Sequence, residues 1–144
     1  MKITFTRPEK DFIEEVAKFR TIANEGKKDN PSYNRKKMKF NDECGDLVSV
    51  ATEAAVVKAC GYDLMNVTHE VWNHFYLPSH RGLYGGFADV THEGRRFEVR
   101  RVNRIDNGLI IRTKDLVEGQ ANVKTFMDVD ADSNGEITRM AGYV

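Results

Sequence analysis

The residues best suited to chemistry lie on two short segments that flank Glu93-Gly94. A two-residue turn there, with Gly94 at positive φ, predicts an antiparallel hairpin because such turns need a residue that tolerates this conformation. The resulting register predicts three cross-strand pairs: His92 with Arg95, Val90 with Phe97, and Asp89 with Glu98.

Side chains alternate between the two faces of a strand, so this hairpin has one charged face and one apolar face. Asp89, Glu98 and Arg100 share the charged face. Two carboxylates at cross-strand distance repel each other unless a cation or a proton lies between them. The pattern is typical of a site for a hard divalent metal ion, although the solvated face of an ordinary hairpin has the same composition.

The composition is that of one globular domain, which we place at residues 1–144. The chain has 22 basic and 22 acidic residues and a formal net charge of zero, so affinity for nucleic acid must come from local patches. Cys44 and Cys60 have no framework spacing and are interpreted as free thiols. No apolar run is long enough for a membrane span, so a cytoplasmic protein without membrane contact is expected, and a homodimer stays open.

One such patch is a basic loop at residues 27–41, which is polar and contains Pro31. Its basic residues are candidates for contact with a phosphate backbone, although charge runs are usually just solvated. They are Arg35, Lys36, Lys37 and Lys39.

A first helix is predicted from Thr6 to about Asn24. Thr6 as N-cap and Glu9 three residues later form a capping box, and Pro8 suits the first turn. The apolar residues that follow keep helical spacing and predict one buried stripe. They are Phe12, Ile13, Val16, Phe19 and Ala23.

A second helix is predicted to begin near Asp42 or Asp46 and to end at Gly61, which suits the C′ position. It is apolar nearly all round, which indicates burial on several sides. Glu53 lies in its middle, where a carboxylate is costly without a partner. Either Glu53 pairs with a basic residue for structural reasons, or it faces the hairpin and shares its cation.

The rest of the chain predicts an α+β domain with the helices gathered against one sheet. Trp72 is expected to pack within a strand or short helix over Val67–Tyr76. Further strands are predicted at Lys2–Phe5, Leu109–Thr113, Val123–Val129 and Glu136–Val144.

Two other groups of residues contain metal-ligand types but fit their metals poorly. His69, His74 and His80 have no standard zinc spacing. Residues 130–138 match much of a calcium-binding EF-hand loop, but position twelve is Ala141 instead of a glutamate. An Asn-Gly hairpin turn formed by Asp130, Asp132 and Asn134 explains this segment at less cost.

The order of these parts resembles the PD-(D/E)xK nuclease-like superfamily, including its small phage-encoded members. The resemblance covers roughly the last hundred residues. It implies a restriction-endonuclease-like core, which is a mixed or antiparallel sheet flanked by helices. The matching segments are TEAAVVKACG (52–61), FADV (87–90), FEVRR (97–101), GLIIRTKD (108–115) and ITRMAGYV (137–144).

The resemblance also implies a site. Asp89 and Glu98 would bind Mg²⁺ or Mn²⁺, Val99 would offer its backbone carbonyl, and Glu53 would be the acid on the helix. Arg100 stands at the position of the family's lysine, and an arginine stays protonated and cannot be a general base. Lys114 and Lys58 are candidates to replace the missing amine.

The resemblance implies the first two of three candidate functions, and the pattern at residues 130–138 gives the third. The first is a metal-dependent nuclease that hydrolyses DNA phosphodiesters at Glu53, Asp89, Glu98 and Arg100. The second is a module of the same fold that binds nucleic acid or protein without turnover. The third is a calcium-binding protein that uses residues 130–138. For either of the first two, the residues expected to contact DNA are Arg35, Lys36, Lys37, Arg95 and Arg101.

Overall fold

The computed structural model describes residues 1–24, 42–73, 89–102, 121–131 and 137–144. Two helices and five strands lie within these ranges. The helices are α1 (Arg7–Asn24) and α2 (Asp42–Ala59), and the strands are β1 (Lys2–Ile3), β2 (Val90–His92), β3 (Arg95–Val102), β4 (Ala121–Ala131) and β5 (Ile137–Tyr143).

The strands form one mixed sheet in the order β1-β5-β4-β3-β2. β3 and β4 run parallel, and the other neighbours are antiparallel. α2 packs against the sheet and α1 packs against α2. The predicted α+β class with a mixed sheet is therefore confirmed. Within the described ranges neither helix is long and apolar enough to cross a membrane.

The start of α1 is the predicted capping box. The backbone N–H of Thr6 donates to Oε1 of Glu9 over 2.8 Å, and the backbone N–H of Glu9 donates to Oγ1 of Thr6 over 3.4 Å. Lys58 Nζ lies 2.9 Å from the same Glu9 oxygen and 2.7 Å from the carbonyl oxygen of Thr4. Burial opposes ionisation of Glu9, but these hydrogen bonds hold its pKa below the ordinary value.

The buried stripe of α1 differs from the prediction. Ile13, Val16 and Ala17 are buried, whereas Phe19 is 51% exposed. Arg20, one turn after Val16, takes the place on the buried face that the apolar pattern assigned to Phe19. Ile13, Ala17 and Arg20 are spaced at i, i+4 and i+7 along one helix face. The third residue of the buried face is therefore an arginine.

α2 is buried on several sides, as its composition predicts. Its inner residues have almost no exposed surface, because α1 covers one side and the sheet covers another. The helix ends as a Schellman motif: Gly61 has φ +90°, and the N–H of Tyr62 donates to the carbonyl of Val57. The predicted C′ glycine is confirmed.

Over residues 67–73, the segment before the hairpin is neither the strand nor the helix predicted over Val67–Tyr76. Its described part, up to residue 73, consists of turns that end in one antiparallel bridge between Trp72 and Val90. Trp72 is fully buried and its ring meets that of Phe12 edge-on at 6.2 Å. Trp72 therefore packs in the core as expected, but on an irregular backbone.

The predicted hairpin is present. Val90 pairs with Phe97 and His92 with Arg95. The turn has positive φ at both central residues, +50° at Glu93 and +75° at Gly94, which is the pattern of a type I′ turn.

The C-terminal strands pair antiparallel, and Asp130 belongs to β4 instead of the predicted turn. Its carboxylate accepts a 2.7 Å hydrogen bond from Nε of Arg139. Asp132 and Asn134 lie outside the described residues, as do the predicted strand Leu109–Thr113 and the basic loop 27–41.

Gly142 lets α2 approach the sheet closely. A Cβ atom at Gly142 would lie 2.6 Å from the Cβ of Ala55 and 3.4 Å from Cε of Met127. Ala55 is a rigid neighbour on a buried helix, so the added methyl group forces a backbone shift.

We therefore expect Gly142→Ala to lower the free energy of unfolding by about 1–3 kcal/mol, the usual cost of overpacking. Chemical denaturation measures this change. Adding Ala55→Gly removes the opposing methyl group, so the double variant should lose less than the sum of the two single variants. Strict additivity would show that the two positions do not press on each other.

Candidate acidic site

Asp89 stands just before β2, at the base of the hairpin, where the chain leaves the regular ladder. Val90 is the partner of Phe97 in the ladder, and the backbone N–H of Asp89 also donates to the carbonyl of Phe97 over 3.1 Å. Because Asp89 lies outside the strand, the period-two alternation that assigned it to the face of Glu98 stops at Val90. The predicted pairing of Asp89 with Glu98 is corrected accordingly.

The Asp89 carboxyl lies between β3 and α2. Its Oδ2 accepts a 2.8 Å hydrogen bond from the backbone N–H of Val99, and its carboxyl is within hydrogen-bonding reach of the Glu53 carboxyl. Burial, followed by the charge of Glu53 and the hydrogen bond with it, raises the pKa of Asp89 well above its ordinary value; the Val99 N–H and Arg20 oppose this. The raised pKa favours the neutral form of Asp89, which relieves repulsion between the two carboxyl groups.

Glu53, which lies next to Asp89, also contacts Arg20 of α1. Its Oε2 lies 2.5 Å from Nη1 of Arg20, and the two side chains are 8% and 10% exposed. The contact is an ion pair between two side chains that are both largely buried. Nη2 of Arg20 also donates to the backbone carbonyl of Asn73 over 3.5 Å. The backbone N–H of Asn73 in turn donates to the carbonyl of Asp89.

Glu98 and Arg100 lie on the other face of β3. Phe97 and Val99 pack against the core that contains α2, so alternation turns their neighbours Glu98 and Arg100 away from it. Glu98 is buried, and its Oε1 lies 3.5 Å from Nη2 of Arg100.

The structure thus brings together two of the predicted acids. Both alternatives expected for Glu53 are found: it pairs with a basic residue, Arg20, and it lies next to Asp89 of the hairpin. Glu98 does not join them in a metal-binding group: among the described residues, no three His, Cys, Asp or Glu side chains are placed to hold one ion. The backbone of Val99 contributes its N–H to the site through Asp89.

The residues expected to contact DNA do not form one described patch. Arg95 is exposed at the start of β3, and Arg101 is partly buried near its end, about 20 Å away at the usual rise per residue. Burial lowers the pKa of Arg101. Arg35, Lys36, Lys37 and Lys114 lie outside the described residues. Lys58 binds Glu9 and the carbonyl of Thr4 instead of an acid of this site.

Arg20 is the member of the site that the sequence prediction omitted. A signal for it exists, because Arg20 continues the helical spacing of Ile13 and Val16. An arginine on a buried helix face needs a buried anion. Glu53, an acid with no local partner on an apolar helix, is its natural complement.

The comparisons with known proteins identify no relative: no family model, no curated protein and no solved structure matches the chain.

The site offers two kinds of chemistry. Its carboxyl pair can hold a proton, and its hard oxygen atoms suit Mg²⁺ or Mn²⁺ if that proton is lost. Three residues from other segments hold the pair of Glu53 and Asp89 in place: Arg20 on α1, Asn73 before the hairpin, and Val99 on β3.

Proposed function

We propose that the chain is a nuclease-like protein that hydrolyses DNA phosphodiesters with Mg²⁺ or Mn²⁺, and that its acidic centre is the pair Glu53 and Asp89. The observation that carries this proposal is the contact between the two carboxyl groups. Such a pair requires a proton or a cation, and a divalent ion is the cation suited to oxygen ligands.

The residues present fit a weakly held ion. Mg²⁺ commonly binds proteins through one or two carboxylates and keeps several of its waters, so Asp89 and Glu53 suffice as protein ligands. Once bound, the ion would lower the pKa of a water molecule and offset charge on a phosphate. Because the pKa of Asp89 is raised, binding of the ion would be coupled to release of a proton from Asp89 to solvent.

The chain's own groups then position and balance these ligands. The Val99 N–H orients Asp89, and the rigid α2 helix fixes Glu53. Arg100 cannot accept a proton, since an arginine stays protonated. On the far face of β3, it neutralises Glu98.

The fold is compatible with the restriction-endonuclease-like core that the resemblance implies. A hairpin with an acid at its base lies in a mixed sheet, and a helix with a second acid packs on that sheet. This arrangement supports the proposal that the chain has the same core as the nuclease-like superfamily.

A second candidate is a module of the same fold that binds nucleic acid or protein without turnover. Two ion pairs favour it. Arg20 neutralises Glu53 and Arg100 neutralises Glu98, so the protein already provides cations for two of the three acids.

Cleavage of DNA distinguishes the two candidates. Activity on single-stranded, double-stranded or branched DNA should require Mg²⁺ or Mn²⁺ and stop in EDTA. Asp89→Asn should reduce the rate at least about 100-fold, because it removes a charged ligand of the ion. Glu98→Gln should have a much smaller effect, because Glu98 lies on the other face of β3.

Asp11→Asn is the matched control, since Asp11 is an exposed acid on α1 that pairs with Arg7. It should leave the rate unchanged. Binding of all three DNA forms without cleavage, with either ion, would favour the binding module. Equal losses in Asp89→Asn and Asp11→Asn would remove Asp89 from the centre.

A further inference from the structure

Arg20 occupies the position of a counter-ion at the acidic centre. Its guanidinium reaches from α1 to Glu53 and to the backbone of Asn73, and its side chain is 10% exposed. Arg7, on the first turn of the same helix, is 86% exposed and pairs only at the surface. The buried position of Arg20 is therefore tied to its contacts with Glu53 and Asn73.

The charge of Arg20 affects any second cation at Glu53. At short range and reduced dielectric, charges of like sign repel by several kcal/mol. With Arg20 in place, Glu53 is already neutralised, and Asp89 offers a negative charge to the ion once it has lost its proton. Without Arg20, two carboxylates would face the ion with a combined charge of −2.

We infer that Arg20 is a built-in competitor of the divalent ion: it neutralises Glu53 in the ion-free protein and thereby weakens the binding of Mg²⁺ or Mn²⁺ at Glu53 and Asp89. This inference rests on the proposed function, because it concerns the same centre. It assigns Arg20 the role of a positioning residue that sets ion affinity.

The test compares Mn²⁺ binding by calorimetry in the unmodified full-length chain, Arg20→Gln and Arg20→Lys. Arg20→Gln should bind Mn²⁺ at least about tenfold more tightly, since a fixed positive charge near the ion is gone. Arg20→Lys keeps the charge and should bind like the unmodified chain. Arg7→Gln makes the same chemical change on the same helix and should also have no effect.

The sign of the change separates competition from a purely structural role. If Arg20 only supported the shape of the site, Arg20→Gln would bind Mn²⁺ more weakly, and this result would overturn the inference. Adding Glu53→Gln to Arg20→Gln should abolish the gain. A gain that survives Glu53→Gln would arise at another site and would also overturn it.

The inference and the proposed function can fail separately. Mn²⁺ binding that Asp89→Asn removes but Arg20→Gln leaves unchanged would support the centre and reject the role of Arg20. Binding that appears only in Arg20→Gln would support the role of Arg20 and reject an ion site in the natural chain. If neither chain binds Mn²⁺, both are rejected.

Folding of Arg20→Gln is followed by circular dichroism. Should the variant be unfolded without the ion, Mn²⁺ is expected to restore the native spectrum, because a ligand that binds only the folded state stabilises it. A variant that stays unfolded at saturating Mn²⁺ would contradict the inference.

Discussion

Arg20→Met is expected to lower the free energy of unfolding by about 3–5 kcal/mol at neutral pH, because it leaves Glu53 as a buried charge without its cation. Both side chains of the pair have at most a tenth of their surface exposed. Methionine retains much of the length of arginine, so the loss of charge outweighs the loss of packing. Denaturation by urea in EDTA measures the effect.

The control is Arg7→Met, which removes an exposed arginine and its surface pair with Asp11. Its effect should stay within about 0.5 kcal/mol. The double variant Arg20→Met/Glu53→Leu should recover much of the loss, because a buried ion pair can often be replaced by apolar residues at little cost. A cost below about 1 kcal/mol for Arg20→Met alone would indicate that water reaches Glu53.

Local sequence signals predicted the helices well. The capping box of Thr6 and Glu9 fixes the start of α1, and Gly61 fixes the end of α2. Each signal acts within one turn of helix and depends on a few neighbouring residues. The Glu93-Gly94 turn is equally local, and it fixes the register of β2 on β3.

The site was harder to predict because it depends on long-range packing. Alternation placed Asp89 beside Glu98, but Asp89 lies just outside β2 on irregular backbone, and its carboxyl lies near Glu53 instead. Alternation holds only within a regular strand, and nothing in the residue types at this point marks where the strand begins.

Arg20 illustrates a second limit of prediction from the sequence: spacing alone does not decide which face of a helix is buried. Its place on the buried face follows from helical spacing, but the spacing of Phe19 with Phe12 and Val16 suggested a competing face. Which face is buried depends on where α2 lies, and that is a tertiary contact. Pairing the unmatched charges of the two helices, Arg20 with Glu53, would have resolved the choice.

Asp89→Asn is expected to make the ion-free protein more stable than the unmodified chain at alkaline pH. Asparagine mimics the protonated acid: its oxygen can accept from the Val99 N–H, and its amide can donate to Glu53. The unmodified chain must keep a proton on Asp89 or place two negative charges side by side, and the raised pKa of Asp89 reflects this cost.

The sign of the pH dependence follows from that shift. Because the pKa of Asp89 is higher in the folded than in the unfolded state, the folded state binds more protons, and stability falls as the pH rises from the ordinary carboxyl pKa through the raised one. The unmodified chain should thus lose up to about 1.4 kcal/mol per pH unit relative to Asp89→Asn over this interval.

Urea unfolding in EDTA, repeated between about pH 5 and pH 9, measures this difference. Asp11→Asn is again the control, and its curve should run parallel to that of the unmodified chain. If the free energy of unfolding of Asp89→Asn changed with pH in parallel with that of the unmodified chain, Asp89 would carry no extra proton in the folded state. In that case the two carboxyl groups would need another cation between them, and Arg20 is the described residue closest to that role because it already pairs with Glu53.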